Sequence, residues 1–273
     1  MSQQPYVIRG GIEGRERLRI LSRVLHPTTS QLLKKAGVST GMTCLDLGCG
    51  GGDVSFYLAN LVGPEGRVTG IDKDETKIKI ARSEVIDKGL SQVEFIADDI
   101  YDTETGSLFD VIYARFLLTH MQDPRAMLDL MYKRLQPGGI VILEDIDFRG
   151  HFSYPENRAF NRYVELYCAV SLKAKGDPYI GQRFPSLLKE AGFENVELNI
   201  VQPAGTVGEV KFIAAITMEN IADAVIRSDL ASRKEIDEVV AELYKIAEDD
   251  HTLISLPRIV QVKSKIGNLK SAI

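Results

Sequence analysis

The sequence predicts an α/β fold built on a mostly parallel sheet with helices on both faces. Short apolar runs rich in β-branched residues alternate with segments of helical period, the order expected of parallel strands joined by crossover helices. The first run leads directly into a glycine-rich turn, GCGGG, which is followed by a helical segment. The length is sufficient, because 273 residues with 44% hydrophobic content can bury a full core.

The elements of this predicted core follow one another in order along the chain. Strands are assigned to apolar, β-branched runs, and helices to segments whose apolar residues recur every three or four positions. The strands are predicted at 43–47, 67–71, 93–97, 109–114 and 140–143, and the helices at 53–62, 75–88 and 125–135. Gly89 stands where a residue ending a helix often turns left-handed, and Pro137-Gly138-Gly139 ends the third helix.

Helical additions are predicted on both sides of the core. Two short helices at 14–25 and 29–36, separated at His26-Pro27, form a cap before it. After the fifth strand come helices at 156–175, 182–191, 218–230 and 234–248, and strands at 196–201 and 259–263. Phe160, Tyr163 and Tyr167 make an aromatic stripe on the first of these helices. Such a stripe can line an acceptor pocket, but its regular spacing favours core packing.

Composition argues against several functional classes. The net charge is −5 and the basic residues are scattered, so no basic face is available for a nucleic acid. No apolar run approaches the roughly 20 residues that cross a bilayer, and the N-terminus has no apolar secretion core. The three cysteines lack CxxC spacing, which argues against a disulfide framework or a zinc cluster. We therefore expect a cytoplasmic protein that binds neither nucleic acid nor membrane.

The glycine-rich turn predicts a nucleoside site. It falls between a strand and a helix, at the carboxyl edge of a parallel sheet, where ligands of such folds bind. Glycine lets a ligand approach the peptide groups closely. Roughly twenty residues later the second strand ends at Asp72, an acid placed to accept hydrogen bonds from ribose hydroxyls. A tight turn with no ligand is the alternative.

The spacing of the glycines does not fit the dinucleotide fingerprint G-x-G-x-x-G/A. Counting from Gly48 and Gly50, the sixth position is Asp53, and counting from Gly50 and Gly52 it is Ser55. The pattern that fits is Asp46-x-Gly48-x-Gly50-x-Gly52. A nicotinamide-dependent oxidoreductase, which shares the strand, the turn and the ribose acid, is therefore the weaker alternative.

With this pattern the sequence resembles the class I S-adenosylmethionine-dependent methyltransferases, in particular their small-molecule, UbiE-like group. Three further motifs carry the resemblance in the expected order: FIADDI at 95–100, FDVIYARFLLTH at 109–120 and LQPGGIVILEDID at 135–147. It covers roughly residues 6–147 and the last two strands. The resemblance implies a Rossmann-like, seven-stranded, mostly parallel sheet whose last strand is antiparallel, with an N-terminal helical cap and helical lid insertions.

The chain divides accordingly into six parts. They are a cap at 1–41, the S-adenosylmethionine-binding core at 42–150, a lid insertion at 151–180, a continuation of the core at 181–206, a second lid insertion at 207–254, and the last core strand with a C-terminal tail at 255–273.

Cofactor-binding roles follow from the resemblance, position by position. The methionine end of S-adenosylmethionine is expected against the turn and the strand before it, at Asp46, Gly48, Cys49, Gly50 and Gly52. Asp72 would hold the ribose, and Lys73 would lie against adenine. Asp98 would meet the adenine amine, and Asp99, Ala114 and Arg115 would complete the pocket. Tyr6 would close over the cofactor from the cap, with Arg19 as a further candidate for the methionine carboxylate.

The resemblance also implies in-line transfer of an activated methyl group to a small organic acceptor in an enclosed pocket. The protein must mainly align the acceptor and exclude water, and a hydroxyl or a protonated amine would also need a base. His120 and His151 are the candidate bases, although a lone histidine is more often a packing residue. The acceptor and the methylated atom stay open, as does a homodimer.

Two further alternatives remain at this point. Glu144, Asp145, Asp147 and His151 could together hold a divalent metal, but neighbouring residues of a strand face opposite sides, so we expect no metal. The chain could also bind S-adenosylmethionine without catalysing a reaction.

Overall fold

A seven-stranded sheet carries the fold in the computed structural model, which describes residue 8 and residues 10–103 and 106–267. The strands are β1 (Thr43–Leu47), β2 (Arg67–Asp72), β3 (Val93–Ala97), β4 (Phe109–Arg115), β5 (Leu135–Asp147), β6 (Ser153–Tyr154), β7 (Glu194–Val201), β8 (Ala204–Gly205), β9 (Leu253–Ser255) and β10 (Arg258–Lys265). The helices are α1 (Gly11–Ala36), α2 (Asp53–Val62), α3 (Glu75–Lys88), α4 (Pro124–Arg134), α5 (Arg158–Lys173), α6 (Phe184–Glu190), α7 (Ile213–Arg227) and α8 (Arg233–Glu248).

The order of strands in the large sheet is β3-β2-β1-β4-β5-β10-β7. The pairs from β3 to β5 are parallel, whereas β10 runs antiparallel to both β5 and β7. The prediction of a mostly parallel sheet with an antiparallel last strand is confirmed. The chain order reverses between β1 and β4, and ligands of open α/β sheets bind where such a reversal opens a crevice.

The cap is one continuous helix, so the prediction of two short helices is wrong. Pro27 lies inside α1, although an internal proline removes a hydrogen bond and costs about 3 kcal/mol. Leu25 and Leu33, on either side of it, are completely buried in the core. The Thr28 hydroxyl donates to the Leu25 carbonyl at 3.0 Å. Packing on both sides of the proline therefore holds α1 together.

A second, smaller sheet was not anticipated from the sequence. It has the order β6-β9-β8 and joins segments that are far apart in the chain. Its strands are two or three residues long, which is too short for an alternating pattern to be recognised. This sheet ties the start of the first predicted lid insertion and the end of the predicted core continuation to β9, which precedes β10.

Helices α5, α7 and α8 pack together over the carboxyl edge of the large sheet. The predicted aromatic stripe of α5 is buried, with Phe160, Tyr163 and Tyr167 between 0% and 3% exposed. Phe148 stacks on Tyr167 with ring centroids 4.0 Å apart. Among the helices of the described residues, none combines the length and apolar character that a membrane-spanning segment needs.

Candidate functional site

A cavity lies at the carboxyl edge of the sheet, beneath α1 and the lid helices. Its space amounts to about 980 Å³ when the open solvent at its mouth is included. One end is formed by the turn after β1 and by the ends of β2 and β4. The other end is formed by side chains of α1, α5 and α7, among them Arg17, Tyr163, Tyr167 and Thr217.

The glycine-rich turn presents its backbone to the first end. Gly48 and Gly50 have φ of +68° and +56°, a region that side chains disfavour. The amides of Gly48 and Cys49 donate to the Ile71 carbonyl at 2.9 and 3.1 Å. All three turn residues line the cavity. Hydrogen bonds to β2 thus fix the position of this stretch of main chain, which faces the cavity.

The later glycines of the turn face the protein's own side chains. A Cβ on Gly51 would lie 2.1 Å from Arg15 Nε, and one on Gly52 would lie 2.4 Å from the Phe95 ring. Even at Gly50 a Cβ would lie 2.9 Å from Leu18 of α1. Gly52 is not among the described residues that line the cavity. Its position indicates a packing role, and its predicted cofactor contact has no support in this geometry.

Asp46 is buried at the end of β1 and lines the cavity. Its Oδ2 accepts a hydrogen bond from Ser55 Oγ at 2.6 Å. Burial raises the pKa of this carboxyl to about 7, against the lowering effects of the Ser55 hydrogen bond and the Arg115 charge. A cation bound beside Asp46 would favour its ionised form.

Asp72 ends β2 and also lines the cavity. Its Oδ2 accepts from the Gly50 amide and its Oδ1 from the Asp74 amide, both at 2.9 Å. Each oxygen keeps a lone pair for a ligand hydroxyl. The glycine-rich turn therefore orients the Asp72 carboxylate, which we expect to bind a ligand beside that turn.

The basic residue at this edge of the cavity differs from the predicted one. Lys73 is exposed and is not among the described cavity-lining residues. Lys77, two residues into α3, lines the cavity and forms an ion pair with Asp74 at 3.2 Å. The helix begins immediately after Asp74, and its first turn directs Lys77 inward.

Asp98 and Asp99 form the turn after β3. The Asp98 amide donates to the Asp72 carbonyl at 3.2 Å, which ties this turn to the end of β2. Asp98 is exposed, and its Oδ1 accepts from the Asp99 amide at 2.8 Å. Neither residue is among the described lining residues, so contact with adenine stays a prediction for both.

The end of β4 supplies a second charged group to the cavity. Ala114 is buried between Leu47 and Leu143 and is not among the described cavity-lining residues, so its predicted contact with the cofactor stays a prediction. Arg115 lines the cavity, and its charge acts on Asp46. Phe116, which also lines it, has φ of +54°, a conformation uncommon for a bulky residue and often found at functional sites. Sequence reasoning did not identify Phe116 as a strained residue.

The two candidate bases have different surroundings. His120 lies in the 3-10 turn Leu118–His120 after β4 and lines the cavity. Burial, together with the charges of Arg17, Lys73 and Lys77, lowers its pKa to about 3. The imidazole is therefore neutral at physiological pH and can accept a hydrogen bond.

His151 is enclosed by aromatic rings. It lies edge-on to Phe160, Phe148 and Tyr163, with centroids 4.8, 5.2 and 5.6 Å away. Burial lowers its pKa to about 3. It is not among the described residues that line the cavity, because Phe148 and Tyr163 occupy that position. The geometry therefore gives the predicted role of His151 as a base no support.

The cap contributes an arginine that the sequence did not single out. Tyr6, the predicted cap contact, lies outside the described residues. Arg19 points away from the cavity and donates to Glu84 at 2.8 Å on the surface. Arg17 instead lines the cavity and donates from Nε to Thr217 Oγ1 at 3.2 Å. No local signal separates Arg17 from the other arginines of α1.

The acids of β5 belong to the framework of the fold. Glu144 accepts from Tyr113, Gln261 and Thr29, at 2.5, 2.7 and 2.8 Å. Asp145 accepts from the amides of Ile146 and Thr119. Asp147 accepts from Gln182 and pairs with Arg258. Protein donors thus engage the oxygens that a metal at these residues would need.

Comparisons with known proteins agree with this geometry. A family model described as a methyltransferase domain matches residues 38–198, which is more than half of the chain. Demethylmenaquinone methyltransferase of Lactococcus lactis is 31% identical over 163 residues, covering 59% of this chain and 60% of that protein. Phosphoethanolamine N-methyltransferase 1 of Arabidopsis thaliana is 33% identical over 174 residues, covering 62% of this chain and 32% of that protein. The chain thus spans less than two thirds of the length of each relative.

A solved structure shows the same fold. Phosphoethanolamine N-methyltransferase 2 of Haemonchus contortus, in complex with phosphomonomethylethanolamine and S-adenosylhomocysteine, has a TM-score of 0.58 at 16% identity. The likeness covers 91% of this chain and 56% of that one, so it extends into the cap and lid helices.

Proposed function

This chain belongs to the methyltransferase-domain family, and on that premise we propose that it transfers a methyl group from S-adenosylmethionine to a small organic acceptor. The observation that supports the proposal is a single cavity with two parts, a nucleoside-type site at the glycine-rich turn and a chamber beneath the lid helices. The Gly48 to Gly50 main chain and Asp72 form the first part, and aromatic side chains of the lid form the second. The proposal extends to a monomeric or dimeric enzyme that works without nucleic acid or membrane.

The cofactor is placed by matching its charges to the cavity. Asp72 takes the ribose hydroxyls, because its carboxylate is fixed by the Gly50 amide and keeps free lone pairs. Asp46 takes the methionine ammonium, and Arg115 takes the methionine carboxylate. Two opposite charges at one end of the cavity suit a zwitterion. The sulfonium then points toward the lid chamber.

The residues of the chamber align the acceptor and exclude water. Tyr163, Tyr167 and Phe148 supply flat apolar walls, and α5 and α7 cover the edge of the sheet. Holding a nucleophile in line behind an activated methyl carbon supplies much of the rate enhancement for such a reaction. His120 accepts a hydrogen bond from the acceptor, since its imidazole is neutral.

The test of cofactor binding is calorimetric titration with S-adenosylhomocysteine and, separately, with NAD. We expect S-adenosylhomocysteine to bind and NAD to show no measurable heat of binding. Asp72→Ala should weaken S-adenosylhomocysteine binding by about 1–3 kcal/mol through lost hydrogen bonds to the ribose. Tight NAD binding, or unchanged affinity in the variant, would overturn the assignment.

Catalysis is tested with a methyl-labelled cofactor and a panel of small metabolites. We expect label in at least one product in the presence of the unaltered protein and none when the cofactor is omitted. A protein that binds the cofactor but labels no member of a broad panel would instead be a non-catalytic binding protein.

A further inference from the structure

Arg17 is a buried cation that pairs with no carboxylate among the described residues. Its side chain is 9% exposed, and its Nε donates to Thr217 Oγ1 at 3.2 Å. Within the described ranges, no Asp or Glu oxygen lies within 4.0 Å of its guanidinium, although Arg17 lines the cavity. A buried charge is costly unless it is paired, so an arginine held this way is suited to a ligand anion.

The other arginines of α1 serve the protein's own structure. Arg15 pairs with Asp53, Arg19 with Glu84 and Arg23 with Glu209. These three pairs attach the cap helix to α2, to α3 and to the turn before α7. Arg17 departs from this pattern, because its hydrogen bond goes to the Thr217 hydroxyl and the residue lines the cavity.

Arg17 lies at the lid end of the cavity. Residues four apart share a helix face, so Arg17 and Leu21 point the same way. Leu21 packs in the core cluster that contains Phe148 and Tyr163. Arg15 and Leu18, by contrast, contact the glycine-rich turn. One face of α1, with Arg17 and Leu21, therefore lies at the lid end of the cavity. Another face, with Arg15 and Leu18, lies at the glycine-rich turn.

The methionine carboxylate of the cofactor does not require Arg17. The end of the cavity near the glycine-rich turn already has Asp46 and Arg115, which complement the ammonium and the carboxylate. Arg17 is bonded to Thr217 of α7, and both residues line the cavity. Its free N–H groups are thus available to the acceptor.

We propose that the methyl acceptor carries an oxyanion, a carboxylate or a phosphate, and that Arg17 binds it at the lid end of the cavity. Thr217 positions the guanidinium through Nε, which leaves the terminal nitrogens for two parallel hydrogen bonds. The aromatic wall then holds the body of the acceptor. This inference rests on the proposed methyl transfer, and it narrows the acceptor to anionic molecules.

The experiment compares matched probes on protein saturated with S-adenosylhomocysteine. Phenylacetate and phenyl phosphate are titrated against neutral phenylacetamide by ligand-observed NMR. We expect at least one anion to bind about tenfold or more tightly than the amide. Arg17→Met should abolish this preference, and Arg17→Lys should retain part of it. Arg23→Met, which removes an exposed arginine of the same helix, should leave the preference unchanged.

The outcomes separate this inference from the proposed function. S-adenosylhomocysteine should bind the Arg17 variants and the unaltered protein equally well. Equal binding of anions and amide, no binding of either anion at about 10 mM, or a preference that survives Arg17→Met would overturn the inference. A loss of S-adenosylhomocysteine affinity in Arg17→Met would assign Arg17 to the methionine carboxylate and also overturn it. If the unaltered protein binds the anions but not S-adenosylhomocysteine, the proposed function fails and the oxyanion site remains.

Discussion

We predict that Asp46 makes the binding of S-adenosylhomocysteine dependent on pH. The carboxyl is 2% exposed, and burial raises its pKa to about 7. Ser55 and Arg115 oppose this rise, whereas the charges of Asp72 and Asp53 add to it. About half of the ligand-free molecules therefore carry a proton on Asp46 at neutral pH. A bound ammonium group favours the ionised form, so binding is linked to proton release.

The size of the effect follows from the ionised fraction. With a pKa of about 7, Asp46 is ionised in about nine molecules of ten at pH 8 and in about one of ten at pH 6. The apparent Kd rises as the competent fraction falls. We therefore expect S-adenosylhomocysteine to bind about tenfold more weakly at pH 6 than at pH 8, a difference of about 1.4 kcal/mol.

The stability of the ligand-free protein should change in the opposite direction. The folded-state pKa of Asp46, about 7, lies above its unfolded value near 4. Between these values the folded state holds a proton that the unfolded state releases, so the contribution of Asp46 to stability increases as the pH falls from 7 toward 4. Protonation of Asp46 should therefore weaken ligand binding and stabilise the ligand-free protein.

The assay is isothermal titration with S-adenosylhomocysteine at pH 6, 7 and 8, in two buffers of different ionisation enthalpy that together count released protons. Asp46→Asn should bind more weakly at pH 8 and lose the pH dependence. Asp145→Asn is the matched control, because burial raises the pKa of Asp145 to about 7 as well and it is not among the described cavity-lining residues. A flat profile for the unaltered protein, or an unchanged slope in Asp46→Asn, would refute the reasoning.

Three further predictions concern residues around the site. Gly51→Ala should lower the free energy of unfolding by about 1–3 kcal/mol in a denaturant titration, because its methyl group would collide with Arg15; in an Arg15→Ala background, which removes the colliding atoms, Gly51→Ala should cause little additional loss. Tyr113→Phe should lower it by about 1–3 kcal/mol, because the buried Glu144 loses a donor at 2.5 Å, whereas Tyr132→Phe at a more exposed position should have little effect. Methyl transfer should persist in excess EDTA, since protein donors engage the acids of β5, and full loss restored by a divalent metal would contradict that account.

The core of the fold was predictable because its signals are local. Each strand from β1 to β4 lies within about one residue of its predicted bounds, since a buried strand needs a continuous apolar run. The start of α8 is a local feature of the same kind, because Ser232 accepts a hydrogen bond from the Glu235 amide three residues later. The α1 prediction failed because a proline signals a local cost, whereas burial of Leu25 and Leu33 is a tertiary gain.

The candidate site was only partly predictable. The turn at Gly48 and the acid at Asp72 were identified because each follows directly from a strand end. Lys77 was missed in favour of Lys73, since the direction of a side chain depends on where α3 begins and how it packs. Likewise, the sequence placed His120 and His151 on equal terms, and only the packing of Phe148 and Tyr163 separates them.

By itself the sequence determined the parallel sheet, the glycine-rich main chain at the end of β1 and the position of Asp72 at the end of the neighbouring strand. These depend on the order of residues along the chain, because a strand, a turn and a helix are each encoded by neighbouring residues. The tertiary structure alone decided which of four similar arginines in α1 faces the cavity. That choice depends on how the helix is rotated when it docks, and the rotation is set by contacts with residues as far away as Thr217.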